Sequence, residues 1–492
     1  MASDTPPITR EQLLITAGVM AGIAVAALDA TVVGTAMPTI IGQLGGIDQY
    51  GWVFASYLLT ATTTVPIWSN LADQHGRKPI FLIGIVLFVG GSMLCGISQS
   101  MLQLVIFRAI QGLGAGAVQP IAFTIVGDIF EPRQRAKMQG FFSSVWGISA
   151  IAGPFIGGIL TSTVGWRWVF YINVPVGLLA AVIIGLVLHE RVERHRHRLD
   201  WLGVITLTGG ISLLLLAVTE VADAGLASPL VLGSLVASVV LLSLFLRGAT
   251  SRAEALIDLS LFRIPVVGAS LAIGALAGVV MFGLTAYVPP LIQGVQGGSP
   301  LEAGLAVGAM SVGWPIASVI AGRLLLVLGG RPLMVAGSAL LVGGTALLTR
   351  AGGFDGPLVA AIACGIVGFG MGFVSTTTIV TVQNAVAWQR RGQATGLVQF
   401  SRTIGGSVGV GVMGALLAAA VGPLASAVLD PVARTGIAPG DLAAARDGLV
   451  TGLDWIYLIL LGTSVVTLVL TLRTMPQVHV TDTRRPTIGA DA

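Results

Sequence analysis

Two charged residues interrupt stretches that are otherwise apolar. Asp29 lies in Ala27-Leu-Asp-Ala-Thr-Val-Val-Gly-Thr-Ala-Met-Pro38, and Arg108 lies in MLQLVIFRAIQGLGAGAVQPIAFTIV, residues 101–126. As helices rising 1.5 Å per residue, both stretches are long enough to cross a hydrocarbon core of about 30 Å. A charge in hydrocarbon is costly without a partner, so each is a functional-site candidate whose counter-ion must be found. Counted from Leu13, Asp29 sits about 24 Å from one face, and counted from Met101, Arg108 sits about 10 Å below the other. These depths match, so the two can pair. Two readings stay open: a permanent ion pair that orders the bundle, or a pair that opens to exchange a proton, because desolvation and a nearby cation act oppositely on a carboxylate. Gly112, Gly114 and Gly116 leave one face of the second stretch bare, so another element can come close.

Other residues of mixed character sit at or inside the ends of apolar runs. Asp73, Gly76, Arg77 and Lys78 form a short turn, where Gly76 permits a tight reversal. With Asp128, Glu131, Arg133 and Arg135 they make either an ion-pair cluster closing one end of the bundle or a set of solvated interface charges. Gly147-Ile-Ser-Ala-Ile-Ala-Gly-Pro-Phe-Ile-Gly-Gly158 combines a kinking Pro154 with Gly147, Gly153, Gly157 and Gly158, the composition of a hinge or sealing contact. Arg402, in Ser401-Arg-Thr-Ile-Gly-Gly, is near enough to the end of its run to snorkel. His189, His195 and His197 in HERVERHRHRLD belong to a solvated basic linker and not to a metal site. Cys95 and Cys364 lie in apolar runs and predict neither a disulfide framework nor metal binding. No phosphate-binding loop is present, so no nucleotide or other cofactor is expected.

The elements that position these residues follow from composition. The chain is 54% hydrophobic and 10% charged, with mean hydropathy +0.91, against roughly 25% charged residues in soluble domains. Apolar runs place spans near 13–36, 52–72, 79–98, 102–126, 138–161, 168–188, 201–220, 228–246, 265–292, 302–322, 332–350, 357–382, 395–420 and 453–473. The expected fold is therefore all-α and polytopic, with fourteen transmembrane helices. Of the 26 Lys and Arg, twenty fall on one side of this arrangement, four (Arg167, Arg350, Arg434 and Arg446) on the other, and Arg108 and Arg402 inside spans. The basic side is cytoplasmic, so both termini are cytoplasmic and the net charge of +4 needs no nucleic-acid partner. The polar first residues show no signal peptide.

Ser69-Asn-Leu-Ala-Asp-Gln-His-Gly-Arg-Lys78 aligns without gaps to Gly322-Arg-Leu-Leu-Leu-Val-Leu-Gly-Gly-Arg331, matching Gly76 to Gly329, with Leu326 in the place of Asp73. Such a repeat predicts two six-helix bundles, 13–188 and 265–473, a basic cytoplasmic linker at 189–200, two inserted helices at 201–246, and an external loop at 421–452.

The segments LDATVVGTAMP, NLADQHGRK, FRAIQGLGAG, AGPFIGG, WRWVFYINVPVG and SPLEAGL resemble the motifs of the major facilitator superfamily, in particular its fourteen-helix drug:proton antiporter branch. The likeness covers about residues 13 to 473, with Ser69 and Gln74 departing from the pattern. It implies a major facilitator fold and a proton-coupled antiporter of the plasma or inner membrane, driven by the proton gradient and acting as a monomer among lipids. Its substrates would be small hydrophobic or cationic drugs, exported by alternating access. Asp29 and Arg108 would couple protons, and Asp73, Gly76, Arg77, Lys78, Asp128 and Arg133 would form the inner gate. The glycines and proline from Gly147 to Gly158 would form the antiporter motif. The alternatives are a same-fold exporter of one lipid, antibiotic or metabolite, and a membrane receptor or enzyme, for which the spans lack convergent ligands.

The topology has a direct test. Cysteine introduced at position 195 should resist an impermeant reagent in intact cells, while cysteine at position 436 should react; labelling of 195 from outside overturns the orientation.

Overall fold

A computed structural model describes residues 9–130, 132–190, 200–225, 227–251, 259–351, 356–386, 390–421 and 439–475; the side chains of Asp73 and of residues 132–144 lie outside that description. Among the described residues the secondary structure is helical throughout, with no strand. The helices are α1 (Arg10–Leu44), α2 (Tyr50–Thr63), α3 (Val65–His75), α4 (Arg77–Ile97), α5 (Met101–Ile129), α6 (Pro132–Thr163), α7 (Trp168–Tyr171), α8 (Asn173–Val187), α9 (Trp201–Ala224), α10 (Pro229–Ser251), α11 (Pro265–Pro290), α12 (Pro300–Leu328), α13 (Gly330–Leu348), α14 (Leu358–Ala385), α15 (Arg391–Val421) and α16 (Pro439–Thr474).

Twelve helical segments of the described residues are long and apolar enough to cross a membrane. Two of the fourteen expected spans are not among them. The run 52–72 is divided at Thr64 into α2 and α3, each too short alone, while 138–161 lies within the 32-residue α6, of which only the stretch 147–163 counts as an apolar helix among the described residues. The last helix begins at Pro439, ahead of the expected 453, so the end of the 421–452 segment is helical.

Helix ends are set by local chemistry. Thr9 with Gln12 and Ser299 with Glu302 form capping boxes at the starts of α1 and α12. Gly76 and Gly329, matched in the sequence repeat, both take positive φ (102° and 77°) and both precede the next helix, a conformation that excludes most side chains.

Packing is by close approach. A Cβ on Gly114 would overlap the backbone of α4, and one on Gly112 or Gly116 would overlap α2, so the bare face of α5 is filled on two sides. At the end of the molecule bearing Gly45 and Tyr50, segments before residue 188 meet segments after residue 265. The Gln293 amide donates to the Thr35 carbonyl at 3.0 Å. The Tyr50 hydroxyl donates to the Ala286 carbonyl. The Ser407 hydroxyl donates to the Ala55 carbonyl at 3.2 Å. Tyr287 and Tyr457 extend this seal with bonds to the carbonyls of Val410 (2.6 Å) and Tyr287 (3.0 Å). The pair α9–α10 is held by Ser238 donating to the Gly210 carbonyl at 2.7 Å. Its Leu207, Ile211 and Leu215 pack on Ala55 and Leu59 of α2 and on Ile404 and Val408 of α15.

Candidate functional site

Asp29 and Arg108 meet at the centre of a polar cluster sealed inside five helices. The Arg108 Nη1 donates to Asp29 Oδ2 at 2.5 Å, and each residue is 1% exposed. Two amides complete the carboxylate: Gln111 Nε2 donates to Oδ1 at 2.8 Å and Asn173 Nδ2 donates to the same oxygen at 3.0 Å. Both amides also donate to the Ser92 hydroxyl of α4 (2.9 and 2.8 Å), which in turn donates to the Phe170 carbonyl at 3.1 Å. Arg108 is held further by the Gln111 Oε1 (2.7 Å) and the Val53 carbonyl (3.4 Å), and its guanidinium lies 4.1 Å from the centre of the Tyr57 ring. A buried charge without such partners would be strongly destabilising, so the amides are what make the pair tolerable.

Local structure explains the convergence. Gln111 is three residues beyond Arg108 on α5 and therefore on the same face. Asn173 starts α8, immediately after Ile172 interrupts the helix begun at Trp168. Neither amide was among the sequence candidates, although Gln111 at i+3 from a buried arginine was the available signal. A small cavity adjoins Arg108, lined by Ala30, Phe54, Tyr57, Leu58, Phe282 and Thr285, so the ion pair sits behind the interface of α1, α2 and α11.

The glycine motif of α6 presses on α1 just beyond Asp29, from Thr31 to Thr35. A Cβ at Gly153 would overlap the Thr31 hydroxyl, and one at Gly157 would overlap the Thr35 hydroxyl and the Val32 carbonyl. The Thr31 hydroxyl donates across to the Ser149 carbonyl at 3.1 Å. On its other side α6 meets α12: a Cβ at Gly158 would come within 2.7 Å of Leu301, and one at Gly304 would overlap the Pro154 carbonyl. A Cβ at Gly147 would meet Pro315 only at an ordinary 3.8 Å.

The charged turn contains one ion pair of the expected cluster and one partner from outside it. Arg77 pairs with Asp128 at 3.0 Å, and Glu190 accepts from the backbone amides of Arg77 (2.8 Å) and Lys78 (3.0 Å), capping α4 with a carboxylate. Glu190 belongs to a segment read as linker, and it is the residue that the sequence reading missed here. The side chains of Asp73 and Arg133 fall outside the described residues. Arg402 is half-exposed; it donates to Ser375 (2.9 Å) and Gln399 (2.7 Å) and lies 5.3 Å from the Trp314 ring. Among the described residues no group of three His, Cys, Asp or Glu converges as metal ligands.

Comparison with known proteins decides the family. The sequence matches the Major Facilitator Superfamily over residues 19–410. The chain is a member of that superfamily. It is 36% identical to the multidrug transporter protein MdtP of Bacillus subtilis, over 86% of this chain and 78% of that protein. It is 32% identical to the tetracenomycin C resistance and export protein of Streptomyces glaucescens, over 87% and 81% of the two chains. In fold, this superfamily member resembles the nucleoside transporter NupG at a TM-score of 0.66 and 12% identity, covering 95% of this chain and all of the other. A bacterial homologue of the lysosomal transporter Spinster in an inward-facing, unoccupied state gives the same score at 16% identity, over 95% and 98%. The protein is thus a multi-pass membrane transporter and not an enzyme.

Two outcomes test the geometry. Gly157→Leu should abolish transport with insertion retained, since the side chain displaces α1; normal transport would place this face against lipid. Asn173→Ala removes one donor from Asp29 and should cost about 1–3 kcal/mol, seen as a lower melting temperature of the purified protein.

Proposed function

We propose that the protein is a proton-coupled antiporter that exports hydrophobic small molecules from the cell by alternating access. It works in the plasma or inner membrane with both termini in the cytoplasm. Two six-span halves, 13–188 and 265–473, rock about a central cavity, and the α9–α10 pair brings the count to fourteen spans. The observation that carries the reading is the buried Asp29–Arg108 pair beside an aromatic-lined cavity at the junction of α1, α2 and α11. A proton-driven exporter needs a carboxylate that is enclosed in one state and reachable in another, and whose partner can change with the state. The enclosure of Asp29 supports this reading: its three donors come from α5 and α8, while its own helix is gripped by α6 and meets α11 at Gly34.

The names of the relatives, a multidrug transporter and a tetracenomycin C resistance and export protein, support the substrate class. By the distribution of Lys and Arg, the end bearing Gly45 and Tyr50 is external, so the tyrosine seal closes the outer mouth in this conformation. The cluster of Arg77, Asp128 and Glu190 lies at the cytoplasmic end and belongs to the inner gate. Export of a single antibiotic is the second reading, favoured by the tetracenomycin C exporter among the relatives. A panel of structurally unrelated substrates separates the two.

The decisive measurement uses liposomes with an imposed pH gradient and a panel of aromatic dyes of both charges. Wild type should concentrate at least one dye uphill. Asp29→Asn should lose uphill transport but retain downhill exchange. Full uphill transport by Asp29→Asn would assign coupling to another group or another ion.

A further inference from the structure

The two intramembrane arginines are treated very differently by the fold. Arg108 is neutralised by Asp29. Arg402 has no carboxylate partner among the described residues, only the neutral oxygens of Ser375 on α14 and Gln399 on its own helix, and the face of Trp314 on α12. The sequence explains why. Between residues 265 and 429 the only acidic residues are Glu302 and Asp355, and Glu302 is committed to the capping box at Ser299. α11 and α14 carry no charged residue at all.

A guanidinium has five donor hydrogens, and here two neutral acceptors take one nitrogen each. The rest of the fork is available. The helix bearing it is fixed, since a Cβ on Gly278 of α11 would overlap the Arg402 carbonyl, and one on Gly405 would overlap the Ala275 carbonyl. Arg402 is therefore held on a rigid backbone, partly exposed, where three helices of one half converge. Three residues beyond Ser375, on the same face of α14, Thr378 is 2% exposed and its hydroxyl has no hydrogen-bond partner.

We infer that Arg402, with Ser375, Gln399 and Trp314, is a subsite for the anionic group of an aromatic substrate: a carboxylate, phenolate or sulfonate. A planar fork matches two-oxygen anions, and the indole beside it offers a surface for a ring. In this conformation the deep carboxylate of the first half, Asp29, is engaged by three donors, so among the described residues it offers a cation no open partner. The inference rests on the export reading and narrows its substrate class from hydrophobic or cationic to aromatic and anionic.

The test is equilibrium dialysis of the full chain in lipid nanodiscs against 2-naphthoate and against (2-naphthyl)trimethylammonium, which share a ring and differ in charge. Wild type should bind the naphthoate more tightly. Arg402→Gln should weaken naphthoate about tenfold or more and leave the ammonium compound unchanged. Arg402→Lys keeps the charge and loses the fork, so it should fall between; if the glutamine variant does not fold, this intermediate loss carries the test. Equal naphthoate affinity in wild type and variants, no naphthoate binding by wild type, or a preference for the ammonium compound overturns the subsite. Export is read separately in the pH-gradient liposomes. Intact Asp29-dependent dye transport with naphthoate binding indifferent to Arg402 refutes the subsite alone, whereas absent transport refutes export and leaves the dialysis result standing.

Discussion

A charge pair that water cannot reach governs the first half of this protein. Taking a carboxylate and a guanidinium out of water costs several kcal/mol per ion, and Coulomb attraction offsets that only when the remaining donors and acceptors are satisfied. The structure meets the condition by drawing groups from α1, α2, α4, α5 and α8 to one point: Asp29, Val53, Ser92, Arg108, Gln111 and Asn173. Each helix of this group must hold its register to keep the network whole. The small residues serve the same end, since Gly114 lets α5 approach α4 closely enough for Gln111 to reach Ser92. A single point of polarity thus fixes the depth and rotation of helices whose lipid-facing surfaces, such as Val86, Leu102 and Leu186, specify neither.

The glycines of α6 act at a second level. Gly153 and Gly157 join α6 to α1, while Gly158 and Pro154 join it to α12. α6 is thus a shared wall between the helix that carries Asp29 and a helix of the other half. In the proposed cycle, movement between the halves shears along this wall, and methylene-sized intrusions there would be felt at Thr31, two residues (about half a turn) from the carboxylate. The α9–α10 pair straddles the opposite seam, in contact with both α2 and α15.

Much of this was legible in the chain. Depth counting placed Asp29 and Arg108 at one level because span length and helical rise are nearly invariant, and their contact follows. The α6 glycines declared a close approach without naming the partner, which depends on tertiary packing. Gln111 and Asn173 escaped notice because an amide in a span carries no charge to flag it, yet both are as buried as the ions they serve. Glu190 was hidden by the basic residues around it, and its targets, the amides of Arg77 and Lys78, are more than a hundred residues away in sequence. Thr64, where the second span divides, is followed by Pro66 in the first turn of α3, which lacks a backbone donor, and the hydroxyls of Thr63 and Thr64 bond back to the carbonyls of Leu59 and Thr60, local effects that hydropathy does not register.

The contrast between the two arginines also has an electrical meaning. A closed Asp29–Arg108 pair has no net charge, so moving it through the bilayer does no work against the membrane potential. Arg402, with no carboxylate partner among the described residues, is a monopole on α15. One elementary charge crossing the whole field is worth about 2.3 kcal/mol per 100 mV, and a rocking motion that carries Arg402 through part of that field gains or loses the same fraction. At the proposed subsite a seated anion would cancel the term, so empty and loaded carriers would feel voltage differently and the return step of such a cycle would be the voltage-sensitive one.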